Sequence, residues 1–140
     1  MKKYVVVCML AIFLNGCAAQ QQAQREVHYQ DEFAGARAYC HKLLSTSSLD
    51  PLRQKVMTEG EPTFDMLANE DKPTQEERAA IRAWAELSLQ CQSKFGDVFQ
   101  RNLRPIYLTL YKAATDNANA LRASLYNGQI NYGQSVVSQR

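Results

Sequence analysis

The sequence predicts an all-α fold in which three or four helices surround one core, with a long irregular connection after the first helix. Apolar residues recur at helical spacing in three segments, and capping signals mark where helices begin. No alternating pattern typical of a β-strand runs through any stretch of the chain. With 140 residues and 46% hydrophobic residues, the chain has the size and composition of one small globular domain.

The first 16 residues have the features of an export signal. Lys2 and Lys3 precede an uncharged apolar run from Tyr4 to Leu14, and the small residue Gly16 follows it. An eleven-residue helix rises only about 16 Å, roughly half the hydrocarbon core of a bilayer, so the run is too short to remain as a membrane span. Residues 1–16 therefore predict a secretory signal that is cleaved from the mature protein.

The end of this segment, Leu14-Asn15-Gly16-Cys17, resembles the lipobox of bacterial lipoproteins. The resemblance implies cleavage after Gly16, a diacylglyceryl thioether on Cys17 and acylation, for example with palmitate, of the new N-terminus. Several acyl chains make such a membrane anchor effectively permanent. Ala18 resembles the sorting pattern that sends lipoproteins to the outer membrane, facing the periplasm. The alternative is an ordinary secretory signal with a coincidental cysteine.

The charge balance of the mature chain argues against nucleic acid as a partner. Cleavage removes Lys2 and Lys3 and no acidic residue, which leaves equal numbers of basic and acidic side chains. The electrostatic basis for nucleic-acid binding is therefore lost.

Residues 17–30 are rich in Gln and Ala and predict a tether, either as coil or as a backward extension of the first helix. Residues 31–140 form the predicted helical domain.

The first helix of this domain is predicted over Asp31–Leu44, followed by the connection 45–73. Its apolar face is formed by Tyr29, Phe33, Ala36, Cys40 and Leu43. A connection of this length either packs over the core or carries function. Within it, Asp50 before Pro51 predicts the N-cap of a short turn. A second turn over residues 63–68 is expected to point Phe64 and Leu67 inward.

The second and third helices are bounded by clear local signals. Thr74 and Glu77 form a capping-box pattern after Pro73, and the second helix is predicted to end near Leu103. Its buried stripe is expected to contain Ile81, Trp84, Leu87 or Ser88, Cys91, Phe95 and Val98. The third helix is predicted over 105–126 and stops before Gly128. A second capping box, Asn131 with Gln134, predicts a short last helix.

The passage Leu125–Gln134 resembles a closing motif of small proteobacterial proteins. Those proteins end a helix at Gly and then place Ile, a capping residue, Tyr and Gly. The resemblance implies a helix–turn–helix corner and no particular activity.

The cysteines fall into three groups. Cys8 lies in the predicted signal and Cys17 carries the lipid, which leaves Cys40 and Cys91. The periplasm is oxidising and both residues fall on predicted buried faces, so we expect a Cys40–Cys91 disulfide. Closing a loop of about 50 residues is worth roughly 4 kcal/mol in the chain-entropy model. Free buried thiols, and a catalytic pair of Cys40 with His41, are the alternatives.

The sequence predicts neither a catalytic site nor a metal or cofactor site. Nucleotide-binding, zinc-protease and nucleophile-elbow motifs are absent from the sequence, and only two histidines are present. The 59–71 connection carries Glu59, Glu61, Asp65, Glu70 and Asp71. Paired carboxylates there could support glycosidase chemistry, but a solvated acidic loop is the favoured interpretation.

Tyrosines of the third and fourth helices suggest a surface for a protein partner. Tyrosine is favoured at interfaces, and Tyr107, Tyr126 and Tyr132 form the candidate partner surface; packing at the edge of the core is the alternative. The sequence thus predicts a non-catalytic, membrane-anchored envelope lipoprotein that binds an envelope protein, for example in a pilotin-like or inhibitory role. The rival interpretation is a small hydrolase or ligand binder that uses the acidic connection.

Overall fold

The computed structural model describes residues 2–56 and 61–138, and side chains from residue 20 onward with the exception of residue 23. The elements are the α-helices α1 (Lys2–Leu44), α2 (Phe64–Leu67), α3 (Gln75–Asn102), α4 (Pro105–Tyr126) and α5 (Tyr132–Val137), with a 3-10 helix at Ser47–Leu52 between α1 and α2. No strand occurs in the described ranges, which confirms the all-α prediction. The chain divides into two compact units, with the boundary after Gly35.

In the first unit, helix α1 begins at Lys2, so the predicted start at Asp31 is wrong. Of the two alternatives for residues 17–30, the structure has the helical one. This segment contains good helix formers and neither Gly nor Pro, so nothing in it interrupts the backbone hydrogen bonds. Side-chain pairs one turn apart support the helix: Gln30 donates a hydrogen bond to Glu26, and the ring centroids of Tyr29 and Phe33 lie 5.9 Å apart. Among residues with described side chains, no helix is long and apolar enough to cross a membrane.

Helix α3 begins at the predicted capping box. The Thr74 hydroxyl accepts a hydrogen bond from the Glu77 backbone amide at 3.3 Å, and the Thr74 amide donates one to Glu77 Oε2 at 2.8 Å. The buried face of α3 then includes Ala80, Ile81, Trp84, Ser88, Cys91 and Val98. The spacing therefore predicted both the start of this helix and the face that enters the core.

The connection between α1 and α3 packs over the core. Leu49, Leu52 and Val56 are fully buried and join the cluster around Trp84 and Leu125. One local prediction here is wrong: Thr46, not Asp50, holds the N-cap position, and Asp50 Oδ1 accepts a hydrogen bond of 2.7 Å from Arg53 Nε instead.

The orientation of Phe64 was also predicted wrongly. Its side chain is 81% exposed, although Leu67, on the same single turn, is partly buried. Helix α2 meets α5 through its backbone, because a Cβ atom on Gly133 would lie 2.5 Å from the Leu67 carbonyl oxygen. A four-residue helix held in this way does not need to bury its first side chain.

Helix α5 turns back onto the core after α4 ends. Gly128 has φ of +69°, which favours glycine and ends α4 as predicted. Asn131 then caps α5 in the predicted capping box, in which its Oδ1 accepts from the Gln134 amide at 2.8 Å. The Tyr132 amide donates to the Asp71 carbonyl at 3.1 Å, so the start of α5 is fixed to the end of the connection.

Candidate functional site

The three tyrosines predicted as a partner surface do not form one surface. Tyr132 is completely buried in the core, so its place in that surface was predicted wrongly. The capping box at Asn131 turns α5 toward the core, and the first residue of the helix goes inward with it. Tyr107 is 54% exposed, whereas Tyr126 is partly buried. These two residues lie nineteen positions apart on α4, about 28 Å along its axis.

Tyr107 belongs to an exposed apolar cluster that we call the α4 strip: Ile106, Tyr107 and Leu110. Their side chains are 58%, 54% and 60% exposed. Leu110 lies four positions after Ile106 and three after Tyr107, about one helical turn from each, so its side chain neighbours both at the first turns of α4. Adjacent large apolar side chains in water are typical of interaction sites.

Ile106 and Leu110 were not predicted as part of a partner surface, although the sequence contained a signal for them. Heptad spacing places Tyr107, Tyr111, Ala114 and Ala118 on one face of this helix, and Ile106 and Leu110 lie off that face. A large apolar residue off the face that packs on the core is not expected to be covered, and this feature could have drawn attention to both positions.

Tyr126 takes part in a different feature, a groove between α3 and α4. Its hydroxyl accepts a hydrogen bond of 2.6 Å from Arg82 Nη2, and the Arg82 Cζ atom lies 5.4 Å from the centre of its ring. Both residues line a cavity of about 320 Å³ between the two helices. Tyr126 therefore belongs to a groove between two helices, where its hydroxyl group is hydrogen-bonded, and not to a flat apolar partner surface.

The structure brings Cys40 and Cys91 together. Both are buried free cysteines, and the Cys40 thiol lies within hydrogen-bonding reach of the Cys91 thiol. Burial, and then the neighbouring Cys40, raises the pKa of Cys91 to about 12. A thiol that stays protonated near neutral pH is a poor nucleophile, which argues against covalent catalysis at this position. The predicted disulfide stays a prediction.

Tyr111 packs beside the cysteine pair. Its hydroxyl donates a hydrogen bond of 3.0 Å to the Gln92 carbonyl, and its ring meets Phe99 edge to face at 4.8 Å. Burial and the two cysteines raise its pKa to about 12. His41, the base of the alternative catalytic pair, is exposed whereas Cys40 is buried.

The acidic connection is exposed where the structure describes it. Glu61, Asp65, Glu70 and Asp71 are all exposed, and Glu59 lies outside the described residues. The described side chains contain no group of three or more His, Cys, Asp or Glu residues placed to hold a metal ion. Asp71 has a structural role, because its backbone carbonyl oxygen accepts the hydrogen bond from the Tyr132 amide.

A half-buried ionic contact at the start of α3 was not predicted from the sequence. Lys55 Nζ lies 2.6 Å from Glu77 Oε1 and 5.1 Å from the centre of the Tyr132 ring. Burial opposes ionisation of Glu77, but the hydrogen bonds from Lys55 and Thr74 outweigh it and lower the pKa of Glu77. Burial and the nearby Glu77 carboxylate raise the pKa of Tyr132. The contact joins the connection, α3 and α5 at one point.

The Cys17 side chain lies outside the described residues, so lipidation also stays a prediction. Comparison of the chain with protein-family models, with curated proteins and with solved structures found no match.

Proposed function

We propose that this chain is a lipid-anchored protein of the bacterial cell envelope whose helical domain binds a protein partner and catalyses no reaction. The observation that carries the proposal is the α4 strip, in which three adjacent large apolar side chains are each more than half exposed. Exposed apolar surface is unfavourable in water, and a protein partner that covers it removes that cost.

The membrane anchor is supported by the residues Leu14 to Cys17 and by the short apolar run before them. We expect the mature protein to begin at Cys17, to carry acyl chains and to sediment with the outer membrane. Mass spectrometry of the N-terminal peptide tests this part. An unmodified N-terminus, or cleavage at another position, would contradict it.

The partner proposal is tested by placing a photo-crosslinking amino acid at Tyr107 in cells. The matched control carries the same group at Asp116, an exposed position farther along the same helix. We expect a discrete adduct with one envelope protein from position 107 only, and we expect Leu110→Glu to abolish it. Equal labelling from both positions, or no adduct from position 107, would contradict the proposal.

The proposed compartment also favours a disulfide between Cys40 and Cys91. The two buried cysteines are neighbours in the folded domain, as a disulfide requires. Thiol labelling of the denatured, unreduced protein from the envelope should find neither residue reactive. Labelling of both residues would contradict the disulfide and leave the partner proposal untouched.

A further inference from the structure

We propose that the groove between α3 and α4 is a binding site for a small amphiphile that consists of a carboxylate on a short alkyl chain. The groove has a volume of about 320 Å³, within the range of small-molecule sites. One wall comes from residues 81–89 of α3 and the other from residues 119–126 of α4. The site is separate from the α4 strip and does not depend on the proposed function.

Arg122 lines the groove and also a neighbouring cavity that contains Trp84 and Cys91, and it supplies the first cationic side chain. Its Cζ atom lies 4.6 Å from the centre of the Trp84 ring, and its Nη1 donates a hydrogen bond of 2.9 Å to Asn119 Oδ1. Its Nε atom is buried and has no hydrogen-bond partner among the described residues. Burial lowers the pKa of this guanidinium, and no carboxylate in the described part of the chain pairs with it.

A partly buried guanidinium without a counter-ion is unfavourable, because the side chain has lost water and gained no charge partner. Asn119 offers only a neutral oxygen. A carboxylate that enters the groove would provide the missing counter-ion, and charge-assisted hydrogen bonds from arginine to carboxylate are among the strongest in proteins.

Arg82 supplies the second cationic group, from the opposite wall. Its Nη2 is bound to the Tyr126 hydroxyl, and within the described ranges it too pairs with no carboxylate. Because the Tyr126 oxygen accepts this hydrogen bond, its own hydrogen remains able to donate to a ligand. Two arginines and a tyrosine thus line one groove, and the polar groups of their side chains suit an anion.

The rest of the groove is apolar and accounts for the alkyl chain. Ile81, Ala85 and Ala123 line it, and Leu89, which is 53% exposed, stands at one end. Eight residues separate Ile81 from Leu89, which corresponds to about 12 Å along α3. A short alkyl chain matches that length, and Arg122, which lines the same groove, would pair with the carboxylate at its end.

The only tryptophan of the chain provides the test, because Trp84 stacks on Arg122. The full chain in a mild detergent is titrated with octanoate, octanol and octylammonium, and Trp84 fluorescence is recorded. We expect a saturable change with octanoate and at least about tenfold weaker responses to the other two probes, because only the carboxylate can pair with arginine.

Variants connect the response to the groove. Asn119→Asp has nearly the same shape, places a carboxylate beside Arg122 and loses only the hydrogen bond that Asn119 Nδ2 donates to Gln92 Oε1, so we expect it to keep the fold and to abolish octanoate binding. Arg82→Gln should weaken octanoate binding severalfold. The control, Arg104→Gln, changes an exposed arginine outside the groove and should leave the titration unchanged. Partitioning of the probes into detergent is the same for every variant and cannot produce these differences.

Three results would overturn the proposal. An equal response to octanol and octanoate would show a groove without preference for a carboxylate. Unchanged octanoate binding in Asn119→Asp would show that Arg122 does not bind the carboxylate of octanoate. Saturable binding of an acidic amphipathic peptide in the groove, without binding of octanoate, would make the groove a protein-docking site. If a variant fails to fold, the comparison of the three probes on the unchanged protein, each expressed against its free concentration outside the micelles, still tests the preference for a carboxylate.

Discussion

The backbone nitrogen of Gly133 lies 2.7 Å from the carbonyl oxygen of Asn69 and donates a hydrogen bond to it. A Cβ atom at position 133 would lie 2.5 Å from the Leu67 carbonyl oxygen and 2.9 Å from that of Asn69. Both obstacles are backbone atoms, which cannot move aside as the end of a flexible side chain can. This contact explains why α5 can dock on the segment that follows α2.

The first prediction concerns this contact. Gly133→Ala should lower the free energy of unfolding by about 1–3 kcal/mol, because the added methyl group overpacks the backbone contact. Equilibrium urea unfolding measures the change. Gly35→Ala is the matched control: a Cβ atom there has no neighbour within 4 Å, so no loss of stability is expected. A Gly133→Ala protein as stable as the wild type would show that α5 is not held as described.

The second prediction concerns the ionic contact between Lys55 and Glu77. Lys55→Met removes the ammonium group that lies 2.6 Å from Glu77 Oε1 and leaves a buried carboxylate without its cation. We expect a loss of about 1.5–3 kcal/mol, the usual size for a hydrogen bond to a charged group. The exposed Lys72→Met serves as control and should change stability by less than about 0.5 kcal/mol. Equal effects of the two substitutions would contradict the assigned role of the contact.

The third prediction concerns pH. The folded-state pKa of Glu77 is lowered below its ordinary value of 4.5, so the folded state favours the carboxylate. The resulting stabilisation is present above about pH 4.5 and is lost as the pH falls through the folded-state pKa. Urea unfolding between pH 7 and pH 3 should show a smaller loss of stability for Glu77→Gln than for the wild type. The exposed Glu76→Gln should follow the wild-type curve, and a Glu77→Gln curve parallel to it would contradict the assignment.

The features predicted correctly from the sequence depend on residues close together in the chain. Both capping boxes, at Thr74 and Asn131, place two side chains three residues apart, and the stop at Gly128 follows from one backbone conformation. The stripe of α3 was also predictable, since a 28-residue helix repeats its apolar spacing several times. In each case the local pattern and the tertiary fold require the same residues.

The start of α1 and the N-cap at Asp50 were local errors, but the other features predicted wrongly or missed depend on contacts distant in sequence. Helix α5 has six residues, too few for a periodic pattern, so nothing local indicated that Tyr132 would be buried. Helix α2 has only four, and the exposure of Phe64 follows from its contact with α5. Arg82 and Arg122 lie forty positions apart and meet in one groove only because α3 packs on α4. No spacing along the chain could have paired them.

The fourth prediction separates the two tyrosines that the sequence had grouped together. Tyr132 is fully buried whereas Tyr107 is 54% exposed. Tyr132→Ala should therefore cost about 3–5 kcal/mol, as for other large aromatic residues removed from a core. Tyr107→Ala should change the free energy of unfolding by no more than about 0.5 kcal/mol. Similar losses for both substitutions would show that Tyr107 is also packed.

The fifth prediction concerns the cysteine pair. A disulfide between Cys40 and Cys91 would close a loop of about 50 residues in the unfolded chain and stabilise the fold by roughly 4 kcal/mol. The wild-type protein from the envelope should therefore lose most of this stability when a reductant is added before urea unfolding. Cys91→Ala should unfold at the same urea concentration with or without reductant, and close to the reduced wild type. The replacement itself should contribute little, since alanine and cysteine are both small and a free buried cysteine packs as a small hydrophobic residue. A wild-type protein whose unfolding does not respond to reductant would show that the two buried cysteines pack together unbonded, in the environment that raises the pKa of Cys91.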